Sequence, residues 1–298
     1  MSYKKIIMLM PYFGKWPEWF NLYLESCKRN PTIDWLFFTD CAEPENRCPN
    51  VAYVKTGFDE YRQLISSSLE INFTGDPYKL CDIKPAYGVI NEQYLSGYDY
   101  YGWGDIDVIY GNIRKFYTDD ILRYNMISTH YNKISGHFCL FKNTEMNKNA
   151  FKRIKGWQNM MENPVHLSID ESKLSKIYLR HKRYPPILRK LMGVFDKYQR
   201  SCCFEERYST IFSNIPWIDG TFNFPDEWYW HDGRLTNNLD HGKEFLYLHF
   251  MNWKSGKWLP KEKRGTKASW EELDKIVQFD YKNTSRGWKI NKYGFHKI

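Results

Sequence analysis

Two aspartates separated by one residue, Asp105 and Asp107, form the sharpest chemical motif in the sequence. They stand in the segment GWGDID at residues 102–107, between an aromatic strand-like run and the apolar residues 108–110. In such a turn alternate residues face the same way, so both carboxylates can point into one space at the carboxyl end of a strand. Two oxygen ligands this close suit a hard divalent cation such as Mg²⁺ or Mn²⁺. A solvated turn is the alternative, but ionised carboxylates flanked by core need a cation or hydrogen-bond donors.

The elements that must position this motif follow from the hydrophobic pattern. Residues 6–10 form a continuous apolar run, typical of a buried parallel strand; residues 16–30 carry apolar side chains at helical spacing, and residues 35–39 read as a second strand. Strand, helix and strand in this order predict a βαβ unit. Further strands are predicted at residues 51–54, 98–103, 126–129, 137–141 and 245–249, with helices at 58–70, at 84–96 and broadly over 145–210. We therefore predict an α/β fold with one mixed central sheet.

Three features together resemble the GT-A glycosyltransferase fold: the βαβ opening, the strand that runs into the aspartate pair, and the late segment HFMNWK at residues 249–254. This late segment is also similar to a stretch of bacterial galactosyl- and glucosyltransferases that act on lipopolysaccharide, although Asn252 stands near an expected glycine and no proline precedes Trp258. The whole chain resembles bacterial cell-surface polysaccharide glycosyltransferases that carry segments like CDIKPAYG and GWGDIDVIYG.

The resemblance implies a GT-A type, Rossmann-like mixed sheet flanked by helices, with a helical and loop-rich acceptor region. The expected organisation is one domain over residues 1–298, in which 1–145 form the nucleotide-sugar-binding half and 146–298 the acceptor-side half. In that superfamily the second aspartate and a late histidine commonly ligate the metal. The resemblance therefore implies Asp105, Asp107 and His249 as ligands of Mn²⁺ or Mg²⁺, with Lys254 at the diphosphate of a UDP-sugar. A satisfied core histidine is the alternative for His249.

Loops at the carboxyl ends of the first two strands are candidates for binding the nucleoside. Pro11, Tyr12 and Phe13 follow the first strand, and the ring of Tyr12 or Phe13 can stack on the base. Asp40 closes the second strand, where relatives of the fold bind uracil or a ribose hydroxyl; it can equally be a turn cap.

Two further segments are candidates for binding the donor phosphate and sugar. Lys84 lies in a loop that enters a helix, where similar loops of the superfamily bind the donor, and Asp82 is expected to cap that helix. Ser135, Gly136 and His137 begin the strand after the metal motif, at the position where GT-A enzymes carry small residues that line the donor sugar. Glycine there would let backbone approach the ligand closely.

Three acidic residues are candidates for the catalytic step. Glu205 and Glu206 stand where relatives place an acid that faces the transferred sugar; either can orient a hydroxyl or act as base, although a Glu-Glu-Arg run is also typical of a solvated face. Asp219 lies in an aromatic and acidic segment, residues 218–233, which is predicted to be an acceptor platform or a packed irregular loop. The stereochemistry stays open, with the late segment favouring retention.

Composition limits the class of protein and its partners. The chain has 298 residues, an aromatic content of 18% that suits sugar binding as well as core, and a formal net charge of +8. Seven cysteines without a CxxC pair argue against a zinc site or a disulfide framework and favour a reducing cytosol. No run is long enough for a signal peptide or a transmembrane helix, so we expect a cytoplasmic protein, soluble or peripheral.

One basic and amphipathic stretch, residues 173–200, can lie on an anionic membrane face, where a lipid-linked acceptor would be found. A solvated helical face is the alternative, and nucleic acid is disfavoured because no recognition module accompanies the charge. The predicted function is metal-dependent transfer of a hexose, galactose or glucose, from a UDP-sugar to a saccharide acceptor. A metal-dependent phosphoesterase or nucleotide-sugar hydrolase and a non-catalytic carbohydrate-binding module are the alternatives.

Overall fold

The computed structural model describes residues 3–181, 184–208, 210, 216–217, 219–221, 224–240, 242–250 and 277–298. Its strands are β1 (Ile6–Pro11), β2 (Ile33–Thr39), β3 (Val51–Lys55), β4 (Tyr100–Gly104), β5 (Val108–Tyr110), β6 (Met126–Ser128), β7 (Phe138–Lys142), β8 (Cys202–Phe204), β9 (Trp228–His231), β10 (Arg234–Asn237), β11 (Tyr247–His249), β12 (Trp288–Asn291) and β13 (Gly294–Lys297). Its α-helices are α1 (Phe20–Lys28), α2 (Phe58–Leu69), α3 (Leu80–Ile83), α4 (Tyr87–Ile90), α5 (Ile113–Phe116), α6 (Glu145–Lys148), α7 (Trp157–Glu162), α8 (Ser175–Tyr178) and α9 (Pro186–Phe195).

A seven-stranded sheet in the order β3-β2-β1-β4-β7-β6-β8 forms the centre of the molecule. Strands β3, β2, β1 and β4 run parallel, whereas β7 is antiparallel to both of its neighbours, so the sheet is mixed. The chain order reverses at β1, which pairs with β2 on one side and with β4 on the other. Ligands of such sheets bind in the crevice outside the carboxyl ends of the strands at this reversal. The predicted α/β class and mixed central sheet are confirmed.

Strand β1 shows why the sheet is buried on both faces. Ile7 and Leu9 join the apolar cluster on one face, where α2 contributes Tyr61, Ile65 and Leu69. The alternate residues of β1 join the cluster on the other face, with Phe20, Tyr23, Leu24 and Cys27 of α1. This alternation explains the continuous apolar run in the sequence, because a strand covered by helices on both faces needs apolar side chains at every position.

A second, four-stranded antiparallel sheet, β10-β9-β12-β13, occupies part of the segment expected to be an irregular acceptor loop. The irregular loop, one of the two alternatives for residues 218–233, is wrong for residues 228–233, which form β9 and the turn of the hairpin β9–β10 at Asp232 and Gly233. Trp228 and Trp230 are buried, and Trp230 stacks on Trp288 with 3.9 Å between ring centroids. These tryptophans therefore build a core.

The region from 145 to 210 departs from the predicted helical run. It contains short helices, a π-turn at Ile169–Lys173 and the edge strand β8, which pairs with β6. The predicted helix at 84–96 is likewise divided into the short helix α4 and 3₁₀ turns at Lys84–Ala86 and Glu92–Tyr94. Pro85 explains part of this break, because proline cannot donate a backbone hydrogen bond.

A buried ion pair between Lys79 and Asp82 holds the segment that precedes the π-turn. Asp82 lies inside α3 and accepts hydrogen bonds from the backbone N–H groups of Leu167 and Ile169, both at 2.6 Å, and from Lys79 Nζ at 2.8 Å. The predicted capping role of Asp82 is therefore wrong. Lys79 Nζ also donates to the carbonyl of Val165, so the pair fixes residues 165–169 against α3.

Replacing this buried carboxylate should cost much of the fold's stability. In Asp82→Asn the ammonium of Lys79 stays buried without its charge partner, so we expect the free energy of unfolding to fall by about 3–5 kcal/mol. Urea unfolding followed by circular dichroism measures this. The exposed pair Lys4–Asp99 supplies the control, since Asp99→Asn should cost less than about 1 kcal/mol. A Lys79→Met/Asp82→Asn variant removes both charges and should lose less than Asp82→Asn; an equal loss would contradict the argument.

Glu227 ties the four-stranded sheet together. Its carboxylate accepts hydrogen bonds from Lys289 Nζ at 2.8 Å, from Asn291 Nδ2 at 3.2 Å and from the Tyr229 hydroxyl at 2.6 Å. The bonds from Lys289 and Tyr229, opposed only in part by burial, lower the pKa of Glu227 to about 2. A lowered folded-state pKa stabilises the fold above pH 4.5, and this contribution is lost as the pH falls toward 2.

We therefore expect Glu227→Gln to lower the free energy of unfolding at pH 7 by about 1 kcal/mol, given the partial exposure of the side chain. The difference from the wild type should shrink as the pH is lowered from 5 to 3, measured by urea unfolding across this range. Glu45→Gln, at an exposed pair with Lys282, is the control with no comparable effect. A Glu227→Gln penalty that stays constant over the same pH range would show that the lost charge is not its cause.

Candidate functional site

Asp105, Asp107 and His249 meet at the carboxyl end of β4. One ligand atom from each side chain lies within 4.8 Å of the others, and His249 Nε2 is 3.3 Å from Oδ2 of Asp107. His249 is buried, whereas both aspartates are partly exposed. Two aspartates separated by one residue and a histidine far along the chain thus share one space beside the point where the sheet reverses.

Pairing of β5 with β11 brings His249 to this place. The two strands are antiparallel and set His249 opposite Val108, the residue after Asp107. Beyond the paired residues the backbone N–H of Phe250 donates to the carbonyl of Asp107 at 3.1 Å. Trp19, the residue before α1, donates from its Nε1 to the carbonyl of Ile106 at 3.0 Å. This bond holds the turn between the two aspartates.

The three side chains shift each other's protonation. Burial disfavours the charge on His249, but Asp107 outweighs burial and raises the pKa of the imidazole. Burial likewise disfavours the carboxylate of Asp107, and His249 outweighs it, so the pKa of Asp107 is lowered. The pKa of Asp105 is raised by burial and by the neighbouring Asp107, although Lys84 acts against both. His249 and Asp107 therefore each favour the charged form of the other.

Lys84 joins three segments of the site. Its ammonium donates to Oδ1 of Asp105 and, at 2.9 Å, to the carbonyl of Gly136. The side chain is buried, and although burial lowers its pKa, the charge of Asp105 raises the pKa above the ordinary lysine value. Lys84 is therefore a permanent buried cation that holds the metal motif and the loop before β7 together, at the position predicted for donor binding.

Sequence reasoning missed an acidic pair, Asp170 and Glu171, next to this lysine. Asp170 is only 4% exposed, and burial raises its pKa to about 7 against the opposing charge of Lys84. Glu171 accepts hydrogen bonds from Lys133 Nζ at 2.9 Å and from the backbone N–H of Gly136 at 3.2 Å. No sequence motif identifies the pair. The one feature that sets it apart in the sequence is its position just before the basic stretch that begins at residue 173.

Gly136 makes room for this acidic pair. A Cβ atom there would stand 3.0 Å from Oδ2 of Asp170 and 3.1 Å from Oε1 of Glu171, closer than side-chain carbons normally pack. The small residue was predicted to let backbone approach a ligand. In the structure, glycine is needed at this position because two carboxylates approach its backbone closely.

The loop after β1 lies beside the metal motif. Tyr12 stacks on Trp16 with 5.1 Å between centroids, and burial, then Cys41 and Asp107, raise the pKa of its phenol. Phe13 packs against the rings of Phe58 and Tyr61. Pro11 is the last residue of β1 and pairs in register with Phe38 of β2.

Asp40 connects this loop to the end of β2. Its Oδ1 accepts a hydrogen bond from the backbone N–H of Gly14 at 2.8 Å, and Gly14 has the positive φ of 110° that favours glycine. Asp40 therefore holds the backbone of the loop that carries Tyr12 and Phe13.

The candidates before β7 are buried behind the metal motif. The His137 ring stacks on that of His249 at 4.2 Å, and its Nε2 is 2.6 Å from the Tyr247 hydroxyl. Burial, with the charge of His249, lowers the pKa of His137 well below the ordinary histidine value, so the imidazole is neutral. Ser135 is fully buried and its Oγ accepts from the N–H of Phe138 at 3.3 Å. His137 thus supports His249 from behind.

The acidic residues predicted to be catalytic have different partners and different exposure. Glu206 is buried with both oxygens 3.3 Å from His130 Nδ1, and the His130 ring is 5.3 Å from that of His137. Glu205 is exposed and forms a two-fold ion pair with Arg207 at 2.9 Å.

Asp219 lies in a surface turn, where its Oδ1 accepts from the backbone N–H and the hydroxyl of Thr221 at 2.9 and 2.8 Å. Lys254, the predicted diphosphate contact, lies outside the described residues.

The cluster of Asp105, Asp107 and His249 fits a divalent cation by its donor chemistry. Two carboxylates and one imidazole form a mixed oxygen and nitrogen set of the kind that Mn²⁺ accepts. The separation of 3.3 Å between His249 Nε2 and Asp107 Oδ2 is close to that of neighbouring ligands around a cation at about 2.2 Å. Lys84 bonds Oδ1 of Asp105, so Oδ2 of that carboxylate can face a cation.

Similarity to solved structures is distant. The galactosyltransferase LgtC, crystallised with donor and acceptor sugar analogues, is 10% identical, with 66% of this chain and 73% of LgtC covered and a TM-score of 0.34. An active-site mutant of LgtC gives 10% identity, 66% and 72% coverage and the same TM-score. The glycosyltransferase GlyE of Streptococcus pneumoniae is 8% identical, with 70% of this chain and 46% of GlyE covered and a TM-score of 0.30. At TM-scores of this size none of the three fixes a residue role here.

No curated protein matched the sequence. Residues 8–278 match the model of the family described as "Family of unknown function (DUF6625)", and because this range covers most of the chain, the protein belongs to that family.

Proposed function

We propose that the protein is a metal-dependent glycosyltransferase that moves a hexose, galactose or glucose, from a UDP-sugar to a saccharide acceptor of cell-surface polysaccharide synthesis, on the cytoplasmic side. The observation that carries the proposal is the cluster of Asp105, Asp107 and His249 at the reversal point of an α/β sheet. A site there that can hold a divalent cation next to a buried lysine suits a substrate with a diphosphate.

The charges of the described residues support a divalent cation. When all are ionised, four carboxylates face two lysines: Asp105, Asp107, Asp170 and Glu171 against Lys84 and Lys133. The two remaining negative charges equal the charge of one Mn²⁺ or Mg²⁺ ion. The raised pKa values of Asp105 and Asp170 agree with this, since without a cation a buried acid is favoured in its protonated form.

A divalent cation held by Asp105, Asp107 and His249 would offset the negative charge that develops on a departing nucleoside diphosphate. The protein's own residues perform the positioning. Lys84 fixes Asp105 through its ammonium, and His137 fixes the imidazole plane of His249 by stacking. Tyr12 and Phe13 are proposed to flank the base, with Asp40 ordering their loop.

The acidic pair is proposed to bind the hydroxyls of the transferred sugar. Carboxylates are strong hydrogen-bond acceptors, and Asp170 and Glu171 lie beside Lys84 and Gly136 within the same site. Glu205, Glu206 and Asp219 stay proposals for the catalytic step, as does Lys254 for the diphosphate. Retention of configuration is the proposed outcome, on the resemblance of the segment HFMNWK at residues 249–254.

Metal binding tests the first step of the proposal. Asp107→Asn should weaken Mn²⁺ binding about 100-fold, because one anionic ligand is lost while the side chain keeps its shape. Isothermal titration of the wild type and the variant with MnCl₂ measures the affinity, and circular dichroism checks the fold. Asp59→Asn, at an exposed surface pair with Arg62, is the matched control and should bind like the wild type. Equal affinity of Asp107→Asn and wild type would exclude this site.

Turnover of UDP-galactose and UDP-glucose separates the three functions. A glycosyltransferase should hydrolyse the donor slowly with Mn²⁺ and release UDP faster when a saccharide acceptor is added. A hydrolase would release sugar phosphate or nucleoside monophosphate steadily without acceptor. A carbohydrate-binding module would show neither turnover nor thermal stabilisation by any nucleoside diphosphate with Mn²⁺.

Asp170→Asn tests the acidic pair. We expect it to weaken Mn²⁺ binding far less than Asp107→Asn, because Asp170 is not a proposed ligand, and to lower transfer about 100-fold, because a misplaced sugar loses the aligned geometry. A second readout is stability in the presence of EDTA. Because the folded-state pKa of Asp170, about 7, lies above its unfolded value, the wild type loses stability as the pH rises from 4 to 7. The variant should therefore gain stability over the wild type at pH 8 relative to pH 4; an unchanged difference would place Asp170 outside a buried, cation-requiring site.

A further inference from the structure

Helix α9 turns an apolar face toward solvent. Ile187 is 86% exposed, Leu191 56% and Phe195 81%, and their spacing of four residues places them on one side of the helix. Leu188, Met192 and Val194 widen the same side and are also exposed. Soluble proteins expose single apolar residues routinely, but six on one short helix form a contiguous surface that calls for a partner.

The opposite side of α9 faces the protein. Gly193 is buried, and a Cβ atom there would stand 2.9 Å from Nε2 of Gln199. The helix packs against the 3₁₀ turn at Gln199–Ser201 through this small residue. The apolar side is therefore the outer surface of a helix already fixed to the molecule.

Positive charge surrounds this apolar surface. Residues 173–200 contain nine lysines and arginines and one acid, Asp196, and this excess of eight equals the net charge of the whole chain. The exposed basic residues among those whose side chains are described are Lys176, Arg180, Lys190, Lys197 and Arg200. The carboxylate of Asp196 already has hydrogen-bond partners within this stretch, because its Oδ1 accepts from the backbone N–H groups of Tyr198 and Gln199.

We propose that α9 and its basic flanks form a docking surface for an anionic phospholipid bilayer, with the apolar side of α9 lying in the headgroup region. An apolar helix face combined with lysines and arginines is the composition of helices that lie in the plane of a membrane surface. Among the described residues no helix is long and apolar enough to cross a bilayer, so this surface contact is peripheral.

Charge favours lipid over the other occupants. Two copies of the chain joined through this surface would bring two clusters of positive charge together, which repel. Nucleic acid would satisfy the charge and leave the apolar side exposed. An anionic bilayer satisfies both, and this inference does not rest on the proposed function.

Vesicle flotation tests the proposal with the full-length protein. Vesicles of phosphatidylcholine alone and vesicles containing about 30% phosphatidylglycerol are the two probes. The wild type should float with the anionic vesicles at low salt, stay with the soluble fraction when the vesicles are neutral, and release as the salt concentration rises.

Two variants separate the apolar and the charged contributions. Ile187→Asp/Phe195→Asp should reduce partitioning at least tenfold, and Lys190→Glu/Lys197→Glu should reduce it by more than about 30-fold, since two attractive charges are lost and two repulsive ones are added. Val165→Asp, at an exposed apolar residue outside the surface, and Lys292→Glu/Lys297→Glu, at exposed lysines near the carboxyl end of the chain, are the matched controls and should bind like the wild type. The substituted side chains are exposed, and thermal unfolding confirms that each variant is folded.

Several outcomes would overturn the proposal. These are failure of the wild type to bind anionic vesicles, equal binding of the α9 variants and the controls, a dimer in solution that Ile187→Asp/Phe195→Asp disrupts, or RNA binding that the same variant leaves intact. Asp107→Asn should float like the wild type, so that loss of the metal site and loss of the membrane surface are told apart.

Discussion

Crowding of carboxylates at the carboxyl edge of the central sheet is the constraint on which the site depends. Asp105, Asp107, Asp170 and Glu171 are all perturbed by burial, which disfavours their charged forms. Lysine side chains and hydrogen-bond donors offset this cost: Lys84 pairs with Asp105, and Lys133 pairs with Glu171. The ammonium of Lys84 is the central one, because it joins the metal motif to the loop before β7.

Much of the central sheet was predictable, because covered strands need apolar runs and covering helices need apolar stripes. Strands β1 and β2 and helix α2 were predicted at nearly their observed positions, since each carries one of these patterns without interruption. The tryptophans of β9 were ambiguous for a physical reason. A ring that suits a sugar face suits a core equally well, and only the pairing of β9 with β12 decides between them.

The site was predictable only where a motif spans adjacent residues. The aspartate pair stands in one turn, whereas Asp170 reaches the site because Asp82 binds the backbone of residues 167 and 169. That anchor joins segments more than eighty residues apart, and no local pattern encodes it. Asp82 looked like a helix cap for the same reason. Its position before Pro85 has the local signature of a cap, while its partners lie in a distant part of the chain.

The pairing of β5 with β11 has a consequence for the order in which the candidate site is assembled. The ribosome releases both aspartates well before His249, and the histidine joins them only when β11 docks on a strand almost 140 residues upstream. Contacts of such long sequence separation form late, because closing the loop between them costs entropy before any bond repays it. A nascent chain that has not yet added His249 would therefore have only two of the three side chains of the proposed metal site, and capture of a cation by all three would require β11 to be paired with β5.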